Sequence, residues 1–419
     1  MKYLINIISL YEGEVLPISN QYKDSNGDNK FLSNISIANY MGKLITNTRL
    51  VDYAYLPISA PDIIQYLTIN HDIHQMSSSN VLRSLSDDKS TYYEFFGNKS
   101  TTLINGVSYK GLEDLRLVVW NNTLYGIGFR PDVIENKVIP QLIEYNEDLS
   151  IRKSWFLNTN KGMEKNWQPI EDMPFTFMYD PNTNDRITLD INQLREADDN
   201  NSPTIINNID SPEFSGKLCG SSQIIKVGNK YISICHTGHR YQSADGLWHW
   251  VYNHYFVMYD ENMNRVSISS PFRFVGDCME FCCGLCHDDK NIYLSFTVLD
   301  STNHIITIPL EKFVTMVEDI TNKPNTFDNF DNKPAYEYMR YVFNNGHIIG
   351  IDKVPYIFLL ESLHMLDSID RVFDIIEELG DMENFPEYKE SLFLHFITRR
   401  RDSNLLLKQY QEKYDNNNQ

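Results

Sequence analysis

From Met1 to about Pro309 the chain repeats one phrase: a short β-branched or aromatic run, a polar turn containing Asn, Asp or Gly, then another such run. Instances are ISIANYMGKLITNTRLV, LRLVVWNNTLYGIGF, SQIIKVGNKYISICHTG, HYFVMYDENMNRVSIS and FCCGLCHDDKNIYLSFTVLDSTNHIITIPL. The GK, NNT, GNK, DENMN and HDDKN segments are hairpin chemistry, because Gly, Asn and Asp tolerate the backbone of tight turns. The flanking runs alternate or are apolar throughout, as strands do when one or both faces are covered. Serial antiparallel hairpins with almost no helical period predict an all-β array. Similar phrases return about every 50 to 70 residues, the interval of the four-stranded blades of a β-propeller, so residues 1–320 are expected to hold about five blades. A pair of large β-sandwiches is the alternative. The opening run, Met1 to Tyr11, reads as a first strand.

After Pro324 the pattern changes. NKPNTFDNFDNKP is polar and Pro-containing, which marks 321–334 as a linker. Beyond it, AYEYMRYVFNN, VPYIFLLESLHMLDSIDRVFDIIEELG and PEYKESLFLHFITRRRDSNLLLKQYQEKY carry apolar residues at three- and four-residue spacing, so 335–419 is expected to be a small α-helical segment. Its helices could pack on one another or on the propeller, or serve as an arm that docks a protein partner. Arg399, Arg400 and Arg401 suit either a solvated helix face or contact with an acidic partner.

Composition narrows the partners. The 419 residues carry 37 Lys+Arg against 56 Asp+Glu, a formal charge of -19, which repels a nucleic-acid backbone or an anionic bilayer. The 42% hydrophobic content suffices for a sizeable core. No apolar run approaches the roughly 20 residues of a membrane-spanning helix, and no small-residue cleavage site follows the opening run, so a soluble, cytoplasmic protein is expected. Cys219, Cys235, Cys278, Cys282, Cys283 and Cys286 are too few and too clustered for a disulfide framework. The stretch DCMEFCCGLCHDD, with His287, lacks the paired Cys-x-x-Cys knuckles of a zinc site. Its thiols read as buried small apolar residues, and neither a metal nor a cofactor is called for.

A propeller takes ligands at the mouth of its central channel, so chemistry should recur at equivalent places in successive blades. Five phrases set polar residues beside apolar strands: Asn34 and Arg49; Glu113, Asp114 and Arg116; Lys165, Asn166 and Trp167; Ser221, His236, His239, Arg240 and Tyr241; Glu280 and Asp300. Such groups stay near a core only if paired or facing a wet cleft. In GLEDLRL, strand alternation sends Glu113 and Asp114 to opposite sides and places Asp114 on the face of Arg116. A carboxyl there is open to pKa tuning by burial and a neighbouring guanidinium, or it simply pins a blade in an ion pair. Lys165, Asn166 and Trp167 suit a sugar: charge, amide, and a flat apolar face. A metal reading of His236 and His239 lacks the helix that would put both on one face.

The ordered set Glu113-Asp114-x-Arg116, Lys165-Asn166-Trp167-x-Pro169, Gly220-Ser221-Ser222, His236 and Asp300 resembles the signature of glycoside hydrolase family 130. These are five-bladed propellers comprising β-mannoside phosphorylases, hydrolases and related β-1,2-mannosyltransferases. SNISIANYMGKLITNTRLVDY and YNHYFVMYDEN further resemble a propeller module attached to glycosyltransferase segments in bacteria and giant viruses. The resemblance spans about residues 30–310. It implies that Asp114 is the acid/base of an inverting glycosyl transfer, supported electrostatically by Arg116. It further implies that Asn34, Arg49 and Asp300 hold the sugar and that Lys165 and His236 take a phosphate; Arg240 is expected to join these two around the phosphate or acceptor site. Glu113, Asn166, Trp167, Ser221, Tyr241 and Glu280 complete the expected lining, Glu280 also being a candidate base. The implied substrate is a carbohydrate or sugar phosphate of the mannose-like hexoside class, handled by a glycosyltransferase or by a glycosidase or phosphorylase of the same fold. A non-catalytic glycan-binding or scaffolding propeller is the other reading. Leu115 replaces the proline of the family's Glu-Asp-Pro-Arg motif, and Cys219 stands where its phosphorylases carry an arginine. The second departure removes a bidentate phosphate contact and counts against phosphorolysis.

Overall fold

The computed structural model describes residues 2–327 except 19–21, 23–29, 52, 57–64, 69–74, 87–89, 94–100, 103–107, 133–136, 160–164, 195–203, 207–216, 243–247, 277–278, 299 and 301. The expected helical segment 335–419, with its arginine run and docking role, lies outside the described residues. Of the six sheets among the described residues, five succeed one another along the chain as blades, and the sixth is the two-stranded pair Tyr53–Leu56 and Gln65–Thr68. The first blade pairs Phe31–Tyr40, Lys43–Val51 and Gln75–Ser84, and the second runs Glu113–Trp120, Thr123–Asp132, Lys137–Tyr145 and Ile151–Thr159. The third blade is small: Gln168–Pro169, Thr176–Asp180 and Asp185–Thr188. In the fourth, Cys219–Gly220 and Ile225–Val227 form a broken inner edge on Lys230–Gln242, followed by Trp248–Tyr259 and Arg265–Ile268. The fifth comprises Glu280–His287, Asn291–Val298 and Thr302–Pro309, and its outer strand is Glu14–Pro17 from the start of the chain. This last pairing closes the ring, which is a five-bladed β-propeller and not a pair of sandwiches.

The core follows the same order. Leu82, Leu115 and Ile143 pack between blades one and two, Trp120, Trp155, Trp167 and Phe177 between two and three, and Ile170, Ile224 and Tyr259 between three and four. Phe256, Phe274, Phe296 and Ile308 fill the joint of four and five, while Ile35, Ile37, Cys286 and Ile305 fill that of five and one. Each sheet is thus apolar on both faces, which explains the near-continuous apolar runs of the sequence. Where inner strands converge there is no room for a side chain. A Cβ on Gly284 would lie 2.5 Å from the Ile37 backbone nitrogen, so glycine is the residue that lets blades five and one meet. Gln223 crosses the same space, donating to Ile37 O at 2.6 Å and accepting Leu285 N–H at 2.9 Å.

Two elements depart from the sequence reading. Met1 to Tyr11 does not supply a strand: Leu4–Ile8 is one helical turn with every residue buried. Its Leu and three Ile residues are buried in the core of blades four and five, and this overrides the strand preference of the β-branched isoleucines. Leu310–Asn322, where the strands end, is a helix that buries Phe313, Met316, Val317 and Ile320. Tyr11 Oη donates to Asp319 at 2.8 Å and Lys230 pairs with Glu318 at 2.8 Å, tying it to the N-terminal turn and to blade four.

Candidate active site

The inner strands of blades one, two and five are interrupted near their starts, and that of blade four is broken into two pieces. The pairing register jumps between Ser33 and Ser36, between Glu113 and Arg116, and between Cys282 and Gly284. Asn34, Asp114 and Asn166 hold left-handed backbone, with φ of 45°, 49° and 66°, at corresponding places in blades one, two and three. Asp300, in the turn between the second and third strands of blade five, has φ 49°. Asn and Asp are the non-glycine residues that best tolerate this region, and its recurrence at one rim marks bulges that re-aim polar side chains into the mouth.

These side chains meet. Asn34 Nδ2 donates to Asp114 Oδ1 at 2.6 Å, and its buried Oδ1 has no hydrogen-bond partner among the described residues. Arg49 donates from Nε to Ser78 Oγ at 2.9 Å and pairs with Glu113 at 2.8 Å, and its NH1 lies 3.8 Å from Asp114 Oδ1. Lys165 Nζ takes the other Glu113 oxygen at 3.3 Å, and that charge raises the Lys165 pKa. Ser33 Oγ donates to Asp300 Oδ1 at 3.0 Å. Burial pushes the Asp300 carboxyl up to about 6; Arg49 pulls it down, and the charges of Asp114 and Glu113 push it up again. Ser221 Oγ and His236 Nδ1 are 2.7 Å apart. Tyr252 and Phe281 pack edge-on against the His236 ring, each with centroid 5.2 Å away.

Several expectations are corrected. Arg116 does not share a face with the Asp114 carboxylate, because the bulge breaks the alternation on which that reading depended. Its guanidinium is fully buried and donates to the carbonyls of Asp114 (2.9 Å), Gly220 (3.3 Å) and Ser221, and to Asn166 Oδ1 (3.2 Å). It ties blades two, three and four together, and the cation beside the Asp114 carboxylate is Arg49. Trp167 offers no stacking face to a sugar: it is 0% exposed and packs against Phe177 and Tyr179. Glu280 is also fully buried, and its two oxygens accept the N–H groups of Phe274, Val275 and Gly276 at 2.6, 2.8 and 2.8 Å. It braces the chain entering blade five and has no room for a nucleophile. Burial, with Arg116 adding to it, pushes the His236 imidazole down to about 3, so this ring brings no positive charge to a phosphate. Arg240 and Tyr241 belong to Lys230–Gln242, but their side chains lie outside the described residues.

Ser33 and Ser78 were not singled out in the sequence, although each holds a charged group of the mouth. The Ser-Asn step at 33–34 was the available signal: two small polar residues entering an apolar inner strand. Cys219 lies opposite His236 in the sheet, and burial pushes its thiol up to about 11. Cys282, Cys283 and Cys286 are buried in the inner strand of blade five.

No family model and no curated protein sequence matches the chain. Solved structures similar to it include a mannose phosphorylase from Leishmania mexicana in complex with phosphate, at 16% identity over 72% of this chain and 90% of that one, TM-score 0.44. A family 130 glycoside hydrolase targeting β-1,2-mannosidic linkages in Candida mannan is similar at 12% identity, 70% and 89% coverage, TM-score 0.44. A GDP-Man-dependent mannosyltransferase from Leishmania mexicana is similar at 15% identity, 67% and 85% coverage, TM-score 0.40. Likenesses this distant do not bear on the chemistry, which rests on the side chains of this chain. No helix among the described residues is long and apolar enough to cross a membrane.

Proposed function

We propose that the chain is a glycan-active enzyme that transfers a mannose-like hexosyl group with inversion, Asp114 being the acid that protonates the departing oxygen. The observation that carries this reading is Asp114 itself. It is a partly exposed carboxyl (side chain 15% exposed) held in left-handed backbone at the mouth, fixed by Asn34 and faced by Arg49. Strained polar residues at a cleft are the places where catalytic groups are stored. The unpartnered Asn34 Oδ1 supports the same reading, since a sugar hydroxyl is a donor of the right size for it. The choice of a mannose-like hexoside follows the motif resemblance.

The charges favour transfer to a hydroxyl over phosphorolysis. Arg49 and Lys165 are paired with Glu113, Arg116 is spent on carbonyls and Asn166, and His236 is neutral. Among the described residues, a bare phosphate would have to displace Glu113 to find a cation. The same balance supports a second reading, a propeller that binds glycans without turnover. The test is to incubate the protein with sugar 1-phosphates, nucleotide sugars and short β-mannosides and to compare it with Asp114→Asn. The expected result is turnover of one class, lowered at least about 100-fold by the substitution, the size of a general-acid contribution. Glycan binding retained with no turnover of any class would favour the binding propeller.

A further inference from the structure

An inverting displacement at an anomeric carbon poses two proton problems: the leaving oxygen must gain one, and an attacking hydroxyl must lose one. Asp114 meets the first. For the second, Glu280 is buried beneath three N–H groups, and both oxygens of Glu113 are engaged by cations. Asp300 is different. It is partly buried, sits in left-handed backbone like Asp114, and has one oxygen oriented by Ser33; Oδ2 makes no hydrogen bond to the described residues. Ser33 and Asn34 are neighbours in one bulge, so a single irregularity of blade one positions both carboxyls.

We propose that Asp300 is the base that accepts the proton of the incoming hydroxyl, whether that hydroxyl belongs to water or to a sugar. This rests on the reading of Asp114 as the acid. In the step, the attacking oxygen forms the new bond to the anomeric carbon and its proton passes to Asp300. The glycosidic bond breaks, its electron pair stays on the leaving oxygen, and the Asp114 proton joins that oxygen. One carboxylate becomes an acid as the other acid becomes a carboxylate. Among the described residues, the groups facing Asp300 are Ser33 and Arg49 from blade one and Glu113 and Asp114 from blade two. Together with burial they leave it with a basicity near neutrality, where a proton acceptor is most effective.

The test uses the full chain and 2,4-dinitrophenyl β-mannoside, whose leaving group needs little protonation, with and without sodium azide. Azide is an anion and needs no base. Asp300→Asn should lose about 100-fold or more in kcat, with azide restoring turnover and giving the glycosyl azide of inverted configuration. The loss at Asp114→Asn should instead shrink on this substrate relative to a short mannoside, and azide should not alter it. In the unsubstituted chain kcat/KM should fall below about pH 6, the pKa of the base. Ser33→Ala removes a donor to the carboxylate and should move that limb to higher pH. Free mannose as product identifies water as acceptor, and a new disaccharide identifies a sugar; either supports the proposal. Turnover that depends on Asp114 but is unchanged in Asp300→Asn overturns this proposal alone, as does an azide-insensitive loss. If Asp300→Asn fails to fold, an unmoved limb in Ser33→Ala overturns it. No turnover of any glycoside by the unsubstituted chain overturns the reading of Asp114 and this proposal together.

Discussion

Glu113 accepts Arg49 at 2.8 Å through one oxygen and Lys165 at 3.3 Å through the other, with 9% of its side chain exposed. Removing one member of a buried ion pair leaves its partners charged and unpaired, which costs about 3–5 kcal/mol. Lys165 remains a third exposed and can be rehydrated, so Glu113→Gln should fall at the low end, about 3 kcal/mol, read as a lower urea midpoint. It should also free two cations, so the variant should bind inorganic phosphate more tightly in calorimetry than the unsubstituted chain does. Unchanged phosphate binding would show that Glu113 is not what keeps the mouth closed to anions. The sequence makes the ingredients of this balance visible, since Arg49, Glu113 and Lys165 stand out as charges beside apolar strands. It does not show who pairs with whom. Trp167 shows the limit from the apolar side, because an indole next to Lys165 and Asn166 is equally suited to a ligand wall and to the joint between two blades. Burial against Phe177 and Tyr179 decides for the joint.

The hairpins are the most legible elements. GK, NNT and GNK sit at tight turns, where Tyr40 pairs with Lys43, Trp120 with Thr123 and Val227 with Lys230. The bulges are not legible, because alternation presumes an unbroken register, and Arg116 is misplaced on that ground alone. The opposite ends of the inner strands carry a contact that sequence spacing does not reveal. His287, ending the inner strand of blade five, lies 3.4 Å from Glu171 of blade three, and the same Glu171 oxygen accepts Lys226 N–H of blade four at 2.8 Å. Asn39 of blade one donates to His287 O at 3.0 Å. The hydrogen bond to Glu171 raises the His287 pKa to about 8. A histidine raised in the folded state stabilises most below its unfolded pKa of about 6.5, and the contribution disappears as pH rises through about 8. Both side chains are about 30% exposed, so solvent screening limits the effect to about 1 kcal/mol. Thermal midpoints should therefore fall between pH 6.5 and 9, and His287→Gln should flatten that slope. An identical slope in the variant would remove His287 from the account.

At the scale of the whole molecule, closure depends on residues far apart in the chain. Glu14–Pro17 is the outer strand of blade five, paired with residues 304–307, and the helical turn before it buries Leu4, Ile5, Ile7 and Ile8 in the joint of blades four and five. Each such side chain contributes about 1.5–3 kcal/mol when fully buried, so the four amount to at most roughly 6–12 kcal/mol. A folded domain has only about 5–15 kcal/mol in total. A propeller opened at this seam would also expose the pairing edge of Thr302–Pro309, an invitation to association between chains. The mouth would suffer with the ring, since Ser33 and Asp300 belong to blades one and five, on either side of the joint that closure brings together. Deleting residues 2–17 should therefore abolish cooperative unfolding, measured by near-ultraviolet circular dichroism against urea. A peptide of residues 1–18 added in trans should restore the signal in a concentration-dependent way, because the seam it fills is the pairing edge and apolar joint left open in the truncated chain. A truncated chain that still unfolds cooperatively, within about 2 kcal/mol of the full chain, would show instead that the five inter-blade joints hold the ring without the N-terminal strand.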